Sequence, residues 1–257
     1  MVDRAGWTQK QLLVAFALYC QIPFGKMHSR NPEIIRYAQA IGRSPGALAM
    51  KLTNIASLDP MITQSGRKGL PGASAADRNM WTEMQSDWKG FAVRSQAILR
   101  NLGLGNIDNS SDENAESEFD YQGKNKRTLV NVRIGQNFFR KTILSAYKSQ
   151  CCISGLTITN LLVASHIIPW RNDPKNRLNP RNGLCLSVLH DRAFDLGLIT
   201  ISKNFTVQVS RKIAKKKDGF LQSALFKYVN TRIQLPDKFQ PEESFLEYHR
   251  KHIFESL

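Results

Sequence analysis

Ala164-Ser165-His166-Ile167-Ile168-Pro169-Trp170, Asn179-Pro180-Arg181-Asn182-Gly183-Leu184-Cys185-Leu186-Ser187 and Leu189-His190-Asp191-Arg192-Ala193-Phe194-Asp195 are the three blocks that decide the fold of this chain. The short apolar runs at 161–164 and 183–187 have strand character, and 188–196 reads as a short helix. The order is a strand ending in histidine, a polar loop, a second strand introduced by asparagine, and a helix whose start bears another histidine. Two strands and a helix in that order can bring His166 and His190 to one cleft, where one imidazole acts as base and the other holds a metal.

On either side of these blocks the chain is easier to divide than to interpret. A helix of roughly 136–147 precedes them. A hairpin of 198–202 and 205–210 around Lys203-Asn204 follows, and a helix over 242–254 closes the chain. Residues 1–103 read as mainly helical. Thr8 caps a first helix carrying Leu12, Leu13, Ala15, Phe16 and Leu18 inward, and a second helix runs over 31–41. Gly42 and Arg43 turn into a third helix, with Ser44 as N-cap and Pro45 at the first helical position. A further helix starts at Ser74, with Asp77 completing a capping box, and runs through Trp81, Trp88 and Phe91. Between 105 and 120 lie Asp108, Asp112, Glu113, Glu116, Glu118 and Asp120, with no Lys or Arg, among Asn and Ser. That composition predicts a solvated linker. The expected organisation is α+β: a helical unit over 1–103, an acidic flexible linker over 104–127, and a second unit over 128–257.

The 257 residues carry 36 Lys and Arg against 21 Asp and Glu, a net charge of +15, and because the linker is acidic the folded parts are more basic still. Such a balance favours a polyanionic partner, since neutralising phosphates releases condensed counterions. The longest apolar run, 12–20, is too short to span a bilayer, and 1–11 has no secretion-signal pattern, so a cytoplasmic, non-membrane protein is expected. Cys20, Cys151, Cys152 and Cys185 form no paired framework and read as free thiols. No four-ligand set has zinc spacing, and structural zinc is not expected.

The chemistry these residue types suit is phosphodiester hydrolysis. An imidazole, with an ordinary pKa of about 6.5, can take a proton from water near neutrality. Charge building on the phosphate and the leaving oxygen calls for a cation such as Mg²⁺ or Mn²⁺. At this point the segment resembles the HNH endonucleases of the ββα-metal superfamily, in the variety marked by SHIIPW, NPRNGL and LHDRAFD, over about residues 136–202. The resemblance implies that His166 activates water, that Asn182 braces the loop carrying it, and that His190 helps bind the divalent cation. Many members carry Asp or His just before the base as a second metal ligand. Here that place is Ser165, whose neutral hydroxyl is a weak ligand for Mg²⁺. The second ligand is then a water held by Ser165, or a carboxylate such as Asp173 or Asp195.

The overall arrangement resembles restriction enzymes that join a DNA-reading domain to an HNH cutter, some of which act only on modified cytosine. Around 43–54 the helix, turn and capped helix suggest a helix-turn-helix, with Arg43, Ser44, Lys51 and Asn54 meeting double-stranded DNA. Arg67 and Lys68, amid glycines, are a second expected contact. Arg181 and Arg192 either grip phosphates or pair with Asp191 and Asp195; Lys215 and Lys216 belong to a basic run that either tracks the backbone or is a solvated face. Trp81 and Trp88 are expected to pack, and His28, His249 and His252 are read as non-catalytic. One HNH centre cuts one strand, so a homodimer is expected for double-strand cleavage. Two other readings stay open: a DNA-binding regulator with an inactive nuclease fold, and a mobile-element or homing nuclease.

Overall fold

The computed structural model describes residues 6–66, 72–105 and 126–254, with backbone alone over 126–134. The expected contacts Arg67 and Lys68 and nearly all of the acidic 104–127 segment lie outside the described residues. The architecture is α+β. Six helices come first: α1 (Gln9–Gln21), α2 (Pro32–Ala40), α3 (Pro45–Ala56), α4 (Pro60–Gln64), α5 (Ala75–Ser86) and α6 (Trp88–Asn101). After the long α7 (Lys126–Ala146) come β1 (Leu162–His166), β2 (Gly183–Ser187), α8 (Val188–Asp195), β3 (Ile199–Ile201) and β4 (Val207–Val209). The short α9 (Arg211–Ala214) and α10 (Gly219–Ala224) lead to the closing α11 (Glu243–His252). Among the described residues no helix is long and apolar enough to cross a membrane.

Local chemistry accounts for the starts of these helices. Thr8 and Gln11 form a capping box on α1, as Ser74 and Asp77 do on α5. Ser44 caps α3 by accepting from the Ala47 amide, with Pro45 at the first position. The single helix expected from Ser74 through Phe91 is instead two. Asp87, at φ −143° and ψ 74°, leaves the helical region and caps α6 by accepting from the Gly90 amide. A carboxylate that satisfies the first amides of the next helix competes with continuing the previous one.

Helix α1 was expected to bury one face. Every residue from Leu12 to Cys20 is buried, so the helix is surrounded, by α3, α5, α6 and α7 among others. A helix that is apolar all round belongs in an interior. It carries no basic residue in its last turn, and that deficit is met from far along the chain. Lys238, fully buried, donates from its ammonium to the carbonyls of Tyr19, Cys20 and Ile22 and to Ser145 Oγ. Beside it Phe239 meets Trp88 edge-on at 5.4 Å and Tyr19 at 6.0 Å, and stacks on Trp81 at 6.5 Å. The tryptophans thus pack around a phenylalanine of the C-terminal part, and one core runs through the segments on both sides of 104–127.

The two strands that frame the expected site pair antiparallel, from Leu162 opposite Ser187 to His166 opposite Gly183. Helix α8 follows at once and packs back over both. Helix α7 presses on β2 so closely that a Cβ at Gly183 would lie 2.4 Å from Ile143 Cδ1 and 2.8 Å from Phe139 Cζ. The β3–β4 hairpin is shorter than expected, three residues a side. From α11, His249 stacks on Phe194 at 3.6 Å, donates from Nε2 to the Phe194 carbonyl and meets Thr200 Oγ1 at 2.8 Å. The closing helix thereby fixes the far end of α8.

Candidate active site

His166 ends β1, and three neighbours determine its state. Its ring lies flat on Phe139 of α7 at 4.1 Å and edge-on to Trp170 at 5.3 Å. Its Nε2 is 2.9 Å from the Arg177 carbonyl. A carbonyl can only accept, so Nε2 carries the proton and Nδ1 keeps its lone pair. Enclosure by the aromatic rings pushes the imidazole pKa down to about 4, outweighing the Arg177 carbonyl, which alone would raise it. The ring is therefore neutral at ordinary pH, in one tautomer, with one basic nitrogen. Phe139 was not singled out from the sequence; its place two positions into an apolar helical face carried no sign that its ring would cover the histidine.

The loop between the strands is held from inside. Buried Asn182 accepts from the Ile168 amide at 2.8 Å and donates to the Ile168 and Asn176 carbonyls, both at 3.3 Å. Arg177 donates to the Trp170 carbonyl at 2.6 Å and lies over the Trp170 ring at 5.1 Å. Asp173 accepts from the amides of Lys175 and Asn176 and from Asn176 Nδ2. The Arg177 carbonyl that orients His166 is thus itself positioned by side chains, and Asp173 is engaged within the loop.

His190 stands elsewhere. Its helix cap, Ser187, pairs with Leu162, at the opposite end of the ladder from His166 and roughly 13 Å of strand away. The ring is 3% exposed. Its Nε2 meets the Ala224 carbonyl at 3.0 Å, and Nδ1 meets Ser187 Oγ at 2.9 Å and Cys151 Sγ at 3.4 Å. Burial raises the Cys151 thiol, but the bonds from His190 and Ser154 outweigh it and hold the pKa down to about 6. Whether Nδ1 accepts from Ser187 or donates to a Cys151 thiolate, no lone pair of this ring is left for a cation. The structure brings Asn182 to the loop of His166, while the polar contacts of the His190 ring are with Ser187, Cys151 and Ala224. His190 and Ser165 together do not fit a divalent ion.

Facing β1, α8 presents a different residue. The Asp191 carboxyl lies against Ser165: burial raises its pKa, while Ser165 and Arg192 pull it back. Asp195, one turn on, is pushed up to about 6 by partial burial of its carboxyl and by the Asp191 charge, although the residue as a whole is exposed. Ser165 is 2% exposed, and its Oγ completes no hydrogen bond of good geometry despite that neighbour. Among the described residues, no group of three or more His, Cys, Asp and Glu side chains is placed to hold a metal. Asp191 was read from the sequence only as a partner for arginine; its spacing of four from Asp195 was the available signal.

The other expected contacts divide by burial. Lys51 is 7% exposed, its ammonium held by both Asp77 oxygens at 2.8 and 2.9 Å. Arg43 donates to the Gly6 carbonyl and to Gln11 Oε1 and lies over Trp7. Both serve the helical fold. Ser44 is exposed, and Asn54 is half-buried beside Gly72. Arg181 pairs with Glu242 at 3.1 Å rather than with Asp191 or Asp195. Arg192, Lys215 and Lys216 are exposed.

Residues 151–202 match the model of a family described as HNH endonuclease. No curated protein matches the chain.

Proposed function

Taking residues 151–202 as an HNH endonuclease domain, we propose that the chain is a metal-dependent DNA endonuclease in which His166 takes the proton from the attacking water. The observation that carries this reading is the His166 ring itself, held neutral with Nε2 bound to the Arg177 carbonyl and Nδ1 retaining its lone pair. A phosphodiester beside the ring raises its proton affinity, moving a depressed base towards the working pH as substrate binds. Trp170 and Phe139 keep the ring from turning, and Asn182 keeps the loop from moving away. A bound divalent cation would supply charge to the phosphate and the leaving 3′ oxygen. In this reading exposed Arg192, Lys215 and Lys216 meet phosphates, and the exposed Ser44 end of α3 meets DNA in the helical part. The biological role we assign is restriction, with dependence on modified cytosine as its sharper form and two copies needed to cut both strands.

Plasmid nicking in Mg²⁺ or Mn²⁺ by the parent and by His166→Ala tests this, with unmodified, 5-methylcytosine and 5-hydroxymethylcytosine substrates in parallel. The parent should nick and His166→Ala should lose on the order of 100-fold or more. Equal nicking by both removes His166 from the chemistry. A parent silent on every substrate favours the second reading, a DNA-binding regulator, for which Ser165 in the place of a metal-binding acid is the supporting observation.

A further inference from the structure

A cavity of about 530 Å³ lies where residues of the helical part meet residues of the C-terminal part, a volume in the range of small-ligand sites. Its aromatic lining is Trp81 of α5, Phe205 of the β3–β4 hairpin and Phe239. Among the described residues five non-glycine positions have positive φ, and the two aromatic ones are Phe205 at 58° and Phe239 at 57°. A bulky residue in that region is strained, persists only where its surroundings hold it, and such positions gather at functional sites. Phe239 is accounted for by its ring contacts in the shared interior. Phe205 is half-buried and packs against the core, but meets no other ring among the described residues.

The polar lining divides in two. Both acids are engaged: Asp59 accepts from the Tyr19 hydroxyl and the Met61 amide, and Glu243 from Arg250. The side chains of Gln64 and Gln85 form no hydrogen bond among the described residues. Lys203 is exposed, and the Arg181 ion pair with Glu242 lies open to solvent. Aromatic faces suit a flat ring, carboxamides offer donors and acceptors to its edge, and cations suit a phosphate beside it. That combination is a nucleotide, and a base enters a concave site only after leaving its stack. We propose that this cavity receives a nucleotide extruded from DNA, its base against Phe205 and Trp81, its edge read by Gln64 and Gln85, its phosphate met by Lys203 and Arg181. The proposal rests on the DNA-cutting reading and deepens it with a base-reading site. Arg181 is next in the chain to Asn182, so the cavity borders the turn that braces the His166 loop.

The test uses the full chain without divalent metal, bound to duplexes carrying one 5-iodouracil either paired with adenine or mismatched with guanine. A mismatched base is easier to extrude, so that duplex should bind about tenfold more tightly than the matched one. Irradiation should cross-link it to Trp81 or Phe205, as mapped by peptide mass spectrometry. Gln85→Ala and Phe205→Asn, checked for folding by circular dichroism, should abolish the preference and leave matched binding within about twofold of the parent. Asparagine tolerates a positive φ, so the second change removes the ring and keeps the turn. Equal affinity for the two duplexes, cross-links outside the cavity, a preference that survives both variants, or no DNA binding by the parent overturns the proposal. Free thymidine monophosphate bound as tightly as the mismatched duplex would assign the cavity to a small nucleotide and overturn it too. Should Phe205→Asn not fold, Gln85→Ala decides alone. Mismatch-specific cross-links in a parent that never nicks would keep the base site and remove the nuclease reading. Nicking by the parent without those cross-links would do the reverse.

Discussion

His166 and His249 show how little a histidine's letter says and how much its neighbours decide. Both rings are stacked on a phenylalanine and both donate from Nε2 to a backbone carbonyl, yet one borders the candidate site and the other locks α11 to α8. Burial depresses His249 to about 4, against a weaker upward pull from the Phe194 carbonyl. Between pH 6.5 and about 4 the unfolded chain therefore takes up a proton that the folded chain refuses. The stability owed to this ring is intact above pH 6.5 and disappears as pH falls towards 4. Asp191 and Asp195 are shifted upward and act in the opposite sense, so the clean observable is a difference. In urea unfolding, the advantage of the parent over His249→Gln should shrink by on the order of 1 kcal/mol per pH unit across that window. An advantage that is constant from pH 7 to 4 would refute it. The sequence pattern made His166 stand out because blocks around it resembled a known motif. It did not foresee the surroundings of His190, since nothing in Leu189-His190-Asp191 announces a ring closed in by Ser187, by Cys151 and by the distant Ala224 carbonyl.

At the level of elements, β2 and α8 were legible almost to the residue, because a run bounded by Asn-Gly and by a serine cap has few alternatives. What was not legible is the contact that positions them. Helix α7 begins at Lys126, ten residues before the helix expected there, and its Phe139 and Ile143 rest directly on the backbone of Gly183. The glycine after Asn182 is explained by that approach rather than by any unusual backbone angle, its φ being −135°. Gly183→Ala should cost about 1–3 kcal/mol by overpacking and should also reduce nicking, because relieving the clash moves the Phe139 ring off His166. Denaturant midpoints and initial nicking rates measured on the same preparations decide it; a variant with both values unchanged would show that α7 can yield without consequence.

Across the whole molecule, the helical part and the nuclease part were expected as beads on an acidic string, and the pattern of composition still marks the string. The shared interior was hidden because it is built from single residues far apart: Lys238 and Phe239 on one side, Tyr19, Trp81 and Trp88 on the other. Lys238 is held fully buried with its pKa lowered to about 8 by that burial, against the pull of Cys20, Asp59 and Asp237. Lys238→Met leaves three helix-end carbonyls facing a dry interior, and should lower stability by about 3 kcal/mol with the denaturant slope unchanged. A loss under 0.5 kcal/mol would mean that the carbonyls find other donors. The same lysine also imposes an order on biosynthesis. It follows Tyr19 by 219 residues, so at ordinary elongation rates α1 leaves the ribosome roughly 10–40 s before its cap exists. Through that interval a wholly apolar helix has no finished burial place, and the shared interior cannot close until translation has passed the lysine.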